Sequence, residues 1–116
     1  MKKIISYSLW GDLPLYTVGA ISNAKLAKEI YPGWICRFYI HKPSVPQWVV
    51  NELQSFDNTE IVFYEDNLGW GGMLYRFYPA TESDVEVMLS RDTDSRLTVR
   101  EKTCVDEWLR DHKKLH

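Results

Sequence analysis

The stretch Val85-Glu86-Val87-Met88-Leu89-Ser90-Arg91-Asp92-Thr93-Asp94-Ser95-Arg96 runs an apolar, strand-like segment straight into two carboxylates two residues apart. In extended backbone, residues i and i+2 project the same way, so Asp92 and Asp94 can reach one cation together while Thr93 faces away. Hard divalent cations take oxygen ligands, and Mg²⁺ is commonly held by one or two carboxylates together with substrate phosphates. The same residue types also suit a polar turn after a strand, where Asp, Thr and Ser bond to nearby backbone. The surrounding chain separates these two readings.

On either side of this segment, strand and helix patterns alternate. Residues 3–9 read as a first strand, and Gly11-Asp12-Leu13-Pro14 breaks it and opens a helix with proline in its first turn. Ala20, Ala24, Ala27 and Tyr31 recur along one face of that helix, as expected for close packing on a sheet, and Pro32-Gly33 ends it. Residues 34–40 form a second strand. Ser44-Val45-Pro46-Gln47 then resembles a capping box, before a helix whose Pro46, Val49, Val50 and Leu53 make an apolar stripe. Residues 59–65 supply a third strand, 67–72 a glycine-rich loop, 73–78 a short helix stopped by Pro79, and 85–90 a fourth strand. Thr98 with Glu101 is a second capping pattern, and Val105, Trp108 and Leu109 give the last helix its apolar face.

This alternation predicts an α/β chain of three-layer, Rossmann-like type, with a mostly parallel sheet of about four strands and helices on both faces. Ligands in such sheets bind beyond the carboxyl ends of the strands, which places residues 8–10, 65–72 and 91–94 on one rim. The rim offers Asp92 and Asp94 for a cation, Tyr7, Trp10 and Trp70 as aromatic faces, and Arg76 and Arg91 for phosphate oxygens. A nucleoside diphosphate with a bound cation satisfies all of them. Arg76 also reads as an exposed helix arginine paired with Asp66 or Glu82, and no G-x-G-x-x-G fingerprint follows any strand.

With 116 residues, 45% hydrophobic and 26% charged, the chain fits one domain spanning 1–116. The net charge of −2, with basic residues dispersed among acidic ones, argues against a nucleic-acid footprint. Residues 1–5 begin like a secretory leader, but Ser6, Ser8, Gly11 and Asp12 interrupt the apolar run, and no stretch is long enough to span a membrane. Cys36 and Cys104 read as buried free thiols, which points to a reducing, cytoplasmic setting. His41, His112 and His116 show no metal-ligand spacing and read as surface residues.

The strand followed by Ser90-Arg91-Asp92-Thr93-Asp94-Ser95-Arg96 and a capped helix resembles the D-x-D segment of GT-A-fold glycosyltransferases. Ser6-Tyr7-Ser8-Leu9-Trp10-Gly11, Tyr31-Pro32-Gly33-Trp34 and Gly72-Met73-Leu74-Tyr75-Arg76-Phe77 extend the likeness over nearly the whole chain, to a group found in bacteria and large DNA viruses. The resemblance implies a nucleotide-sugar donor, in particular a UDP-sugar, with Asp92 and Asp94 holding Mn²⁺ or Mg²⁺ against its diphosphate. Tyr7, Ser8, Leu9, Trp10, Trp70, Arg76 and Arg91 would line or assist that donor site. The acceptor, a glycan or a protein, stays unassigned. GT-A domains usually continue with further strands that shape the acceptor side, so the expectation is a donor-binding half whose exposed apolar edge favours a homodimer.

Two other classes compete. A non-catalytic module would keep the nucleotide-sugar site without transferring sugar. A Mg²⁺-dependent phosphatase of the HAD type also carries D-x-D after a strand, with the first aspartate as nucleophile, but its motif normally follows the first strand of the fold.

Overall fold

Strand β1 (Lys2–Leu9) is buried on both of its pleat faces: Ile5, Tyr7 and Leu9 on one, Ile4 and Ser6 on the other. A parallel strand with neighbours on each side and cover above and below has this property. In the computed structural model, which describes residues 2–65 and 85–110, β1 is indeed an inner strand. It pairs in parallel with β2 (Ile35–His41) and with β4 (Val85–Ser90), and β3 (Thr59–Tyr64) pairs in parallel with β2. Among the described residues the sheet therefore has four parallel strands in the order β3-β2-β1-β4, the α/β, Rossmann-like architecture expected from the alternating periods.

Helix α1 (Pro14–Ile30) begins where Pro14 supplies a pre-set φ, and no side chain caps it. Ala20, Ala24 and Ala27 are fully buried, so the helix lies close on the sheet, as their spacing predicts. Helix α2 (Gln47–Gln54) buries Val49, Val50 and Leu53. Helix α3 (Val99–Arg110) buries Val105 and packs Trp108 and Leu109 against the same core. At its start the Glu101 N–H donates to Thr98 Oγ1 at 3.1 Å, as the capping pattern predicts.

The other expected cap is not formed. Helix α2 starts at Gln47 with Pro46 as its N-cap, so Ser44 lies too far upstream to reach the first free N–H groups. Its hydroxyl instead accepts the Gly11 N–H at 2.8 Å and shares a hydrogen bond with His41 Nδ1 at 2.6 Å.

Register divides the sheet into two unlike faces. Ile5, Tyr7 and Leu9 align with Cys36, Phe38 and Ile40, and these join Val87, Leu89 and residues of all three described helices in the main core. The other face carries a small apolar cluster of Ile4, Val85 and Met88, beside polar residues Ser6, Arg37 and His41, all buried. There Arg37 Nε donates to Glu60 at 2.9 Å across the β2–β3 pair, which offsets part of the cost of burying its charge. The expected helix at 73–78 and the glycine-rich loop at 67–72 lie outside the described residues.

Among the described residues no helix is long and apolar enough to cross a membrane. Both cysteines are free; Cys36 is buried as expected, but Cys104 is exposed, because it lies beside Val105 on α3 and turns away from the face that Val105 buries.

Burial pushes the Cys36 thiol up from 9.0 to about 12, and burial also raises the Tyr7 and Tyr31 hydroxyls above their ordinary 10.0. Below pH 9 these groups are protonated in the folded and unfolded chain alike. Between pH 9 and about 12 the unfolded chain releases protons that the fold retains, so stability falls as pH rises through this window. Urea titrations across that range should show the decline. Thiol labelling at pH 8 should modify Cys104 quickly and Cys36 only on unfolding.

Tyr7 offers a second check. Its ring stacks on Phe38 at 5.0 Å, yet its buried hydroxyl has no hydrogen-bond partner among the described residues. An unsatisfied buried hydroxyl costs about 1–3 kcal/mol, so Tyr7→Phe should leave the urea midpoint unchanged or raise it. Tyr7→Ala, which also removes the ring, should cost about 3–5 kcal/mol.

Candidate functional site

The strand order fixes where a ligand can sit. From β1 the chain steps outward to β2 and β3, then returns to the opposite side of β1 for β4, so the order reverses between β1 and β4. Crevices at such reversals, beyond the carboxyl ends of the strands, are the ligand sites of open parallel sheets. The crevice here has a step. Pairing of β4 with β1 ends at Ser90 opposite Ser6, closed by the Arg91 N–H donating to the Ser6 carbonyl at 3.1 Å. On the other side, β1 continues against β2 as far as Leu9 opposite Ile40.

Asp92 and Asp94 leave β4 at this step. Both are exposed, and Thr93 between them is only 4% exposed, so the expected division of outward carboxylates and inward threonine holds. Its cause differs from the expectation. The Ser95 N–H donates to the Asp92 carbonyl at 3.3 Å, so 92–95 is a turn, not a continuation of the pleat. Helix α1 holds the turn's far end: Asn23 Nδ2 donates to the Ser95 carbonyl at 2.6 Å, and the Leu97 N–H donates to Asn23 Oδ1 at 3.0 Å.

At the end of β1, alternation splits the expected ligand residues. Tyr7 and Leu9 were expected to line the donor pocket, but both side chains are fully buried in the main core and cannot present a surface to a ligand. Ser8 is partly buried, and Trp10 is 50% exposed. Trp10 stacks on His41 with ring centroids 5.3 Å apart, and His41 packs in turn on Tyr64 at 5.3 Å. The surface expectation for His41 is corrected accordingly: it is 2% exposed, because it ends β2 in register with Tyr64 and lies against Trp10. Through Ser44, His41 also ties the loop after β2 to Gly11, whose φ of 86° is one that glycine adopts without strain.

Arg91 points into the fold. Its Nε donates to the Glu101 carboxylate and its Nη1 to the Ser90 carbonyl at 2.9 Å, so the guanidinium links the start of the turn to the first turn of α3. Both side chains of the pair are about four-fifths buried. Trp70 and Arg76 lie outside the described residues. Among the described residues no group of three or more His, Cys, Asp or Glu residues that could hold a metal occurs. Two carboxylates suffice for Mg²⁺ or Mn²⁺ when substrate phosphates complete the shell.

No family model matches the chain. No curated protein and no solved structure matches it either.

Asn23, Ser44 and Glu101 escaped the reading of the sequence as parts of this rim. Asn23 carried a visible signal, since it is a polar residue three positions after Ala20 on the small-residue face of α1. The roles of Ser44 and Glu101 depend on contacts between separate loops and elements. If Arg91 and Glu101 anchor α3 to the rim, Glu101→Ala should lower stability by about 1–2 kcal/mol, allowing for partial solvent screening. A double-mutant cycle with Arg91→Ala in urea should show coupling between the two positions.

Proposed function

We propose that this chain binds a nucleotide-diphosphate sugar, with Asp92 and Asp94 holding Mn²⁺ or Mg²⁺ against the diphosphate, as the donor-binding part of a glycosyltransferase of GT-A type. The observation that carries the reading is the placement of two exposed carboxylates in one turn, at the β1/β4 reversal of an all-parallel sheet. The half-exposed indole of Trp10, just beyond the end of β1 and stacked on His41, supplies a flat apolar face for a nucleobase or sugar. UDP is the nucleotide proposed.

When bound, the cation would act as a Lewis acid toward the diphosphate whose charge grows as the sugar leaves. The chain's own residues have distinct tasks. Asp92 and Asp94 bind the cation, Trp10 stacks on the donor, and Arg91 holds the root of the turn through Glu101 and Ser90. Trp70 of the glycine-rich segment and Arg76 of the stretch after it remain proposed donor contacts. The acceptor is a glycan or a protein.

Binding without transfer is the second reading. It is favoured by the engagement of Glu101, the acid in the first turn of α3, with Arg91. A cytoplasmic setting accords with the free thiols, and a homodimer with the exposure of Val62 and Phe63 on edge strand β3.

A ligand bound only by the folded state stabilises it by about 2.7 kcal/mol at a hundred times its dissociation constant. UDP with Mn²⁺ should therefore raise the melting temperature by several degrees, and neither should do so alone. Asp92→Ala combined with Asp94→Ala should abolish the shift while leaving the ligand-free melting temperature close to the parent value. No shift in the parent protein would refute the reading.

A further inference from the structure

Two buried residues of α1 face the 92–95 turn, and neither is needed for the helix itself. Gly19 lies within the helix, where glycine is disfavoured relative to alanine. A Cβ built there would fall 2.0 Å from the Thr93 carbonyl oxygen and 3.0 Å from Arg96 Nη1. The turn can occupy its position only because position 19 lacks a side chain. One helical turn later Asn23, fully buried, uses both ends of its amide: Nδ2 donates to the Ser95 carbonyl and Oδ1 accepts the Leu97 N–H. A side chain that engages another segment's backbone through both its donor and its acceptor fixes that segment's path.

We propose that Gly19 and Asn23 are positioning residues for the metal-binding turn, setting the inward seat of Thr93 and so the outward aim of Asp92 and Asp94. The role in metal binding rests on the donor-site reading above; the role in shaping the turn does not. Gly19 admits the Thr93 carbonyl against the helix, and Asn23 pins the chain where it leaves the turn. Between these holds the two carboxylates have little freedom to diverge, and a chelating pair needs that constraint. Residues that orient metal ligands without touching the metal typically change affinity by about 10- to 100-fold when replaced.

The test uses the full chain with Gly19→Ala, Asn23→Asp and, as a control on the exposed side of α1, Lys25→Ala. Asn23→Asp keeps the acceptor for Leu97 but sets a carboxylate against the Ser95 carbonyl. Gly19→Ala favours the helix by intrinsic propensity, so it remains informative if Asn23→Asp does not fold. Hydrogen exchange at the Leu97 amide reads the turn without any ligand, and calorimetric titration with UDP in the presence of Mn²⁺ reads the site. The expected result is faster Leu97 exchange in both variants than in Lys25→Ala, with donor affinity lowered about 10- to 100-fold. Wild-type exchange in Gly19→Ala would overturn the proposal, as would full affinity despite faster exchange. If the parent protein binds no UDP with Mn²⁺, the donor reading fails, and exchange alone still decides whether these residues shape the turn.

Discussion

The parallel pairing of β1 with β4 is the constraint on which the rest of the structure depends. It makes β1 an inner strand, buries both of its faces and reverses the strand order. Because the pairing stops at Ser6 and Ser90, the chain must leave the sheet at Arg91, before β1 itself has ended. The acidic turn is thus set at the crevice by backbone hydrogen bonds formed several residues earlier. A slip of one residue in that pairing would exchange the two faces of β4, taking Val87 and Leu89 out of the main core. The hydrophobic pattern that stabilises the sheet therefore also fixes the position of the carboxylates.

Polar groups near the rim divide by how far the fold buries them. Arg91 and Glu101 are mostly buried and engage each other, so their charges serve to dock α3 against the turn. Asn23 is buried and binds the rim backbone through both ends of its amide. Asp92 and Asp94 face water, where a carboxylate keeps its hydration and loses little until a cation arrives. His41 stands apart from both groups: its Nδ1 is shared with Ser44, its ring is packed against Trp10 and Tyr64, and its Nε2 is buried with no partner among the described residues. An unsatisfied nitrogen of this kind costs stability, and the packing of the Trp10 and Tyr64 rings against the imidazole offsets that cost.

The fold was legible because its signals are local. The shift between strand and helix periods located each described element to within a residue or two at its ends, and the small-residue stripe of Ala20, Ala24 and Ala27 identified the face of α1 that meets the sheet. The D-x-D pair was legible for the same reason. What escaped depends on contacts between segments distant in sequence, such as Asn23 with Ser95 and Leu97, or Gly11 with Ser44. Ser44 shows the limit clearly: it has the spacing of a capping box, but Pro46 sets the start of α2 and leaves the hydroxyl to another loop. Tyr7 and Leu9 were grouped with Trp10 by position along the chain, whereas the pleat sends them into the core.

The central claim is that Asp92 and Asp94 hold one cation against a diphosphate at the β1/β4 crevice. A crystal structure of the full chain grown with Mn²⁺ and UDP, with anomalous data collected for manganese, tests it most directly. The account predicts a single anomalous peak at about 2.0–2.2 Å from oxygens of both carboxylates, the hard-cation range, with diphosphate density beside it. Manganese and UDP bound away from this turn, or an empty crevice at saturating concentrations of both, would contradict it.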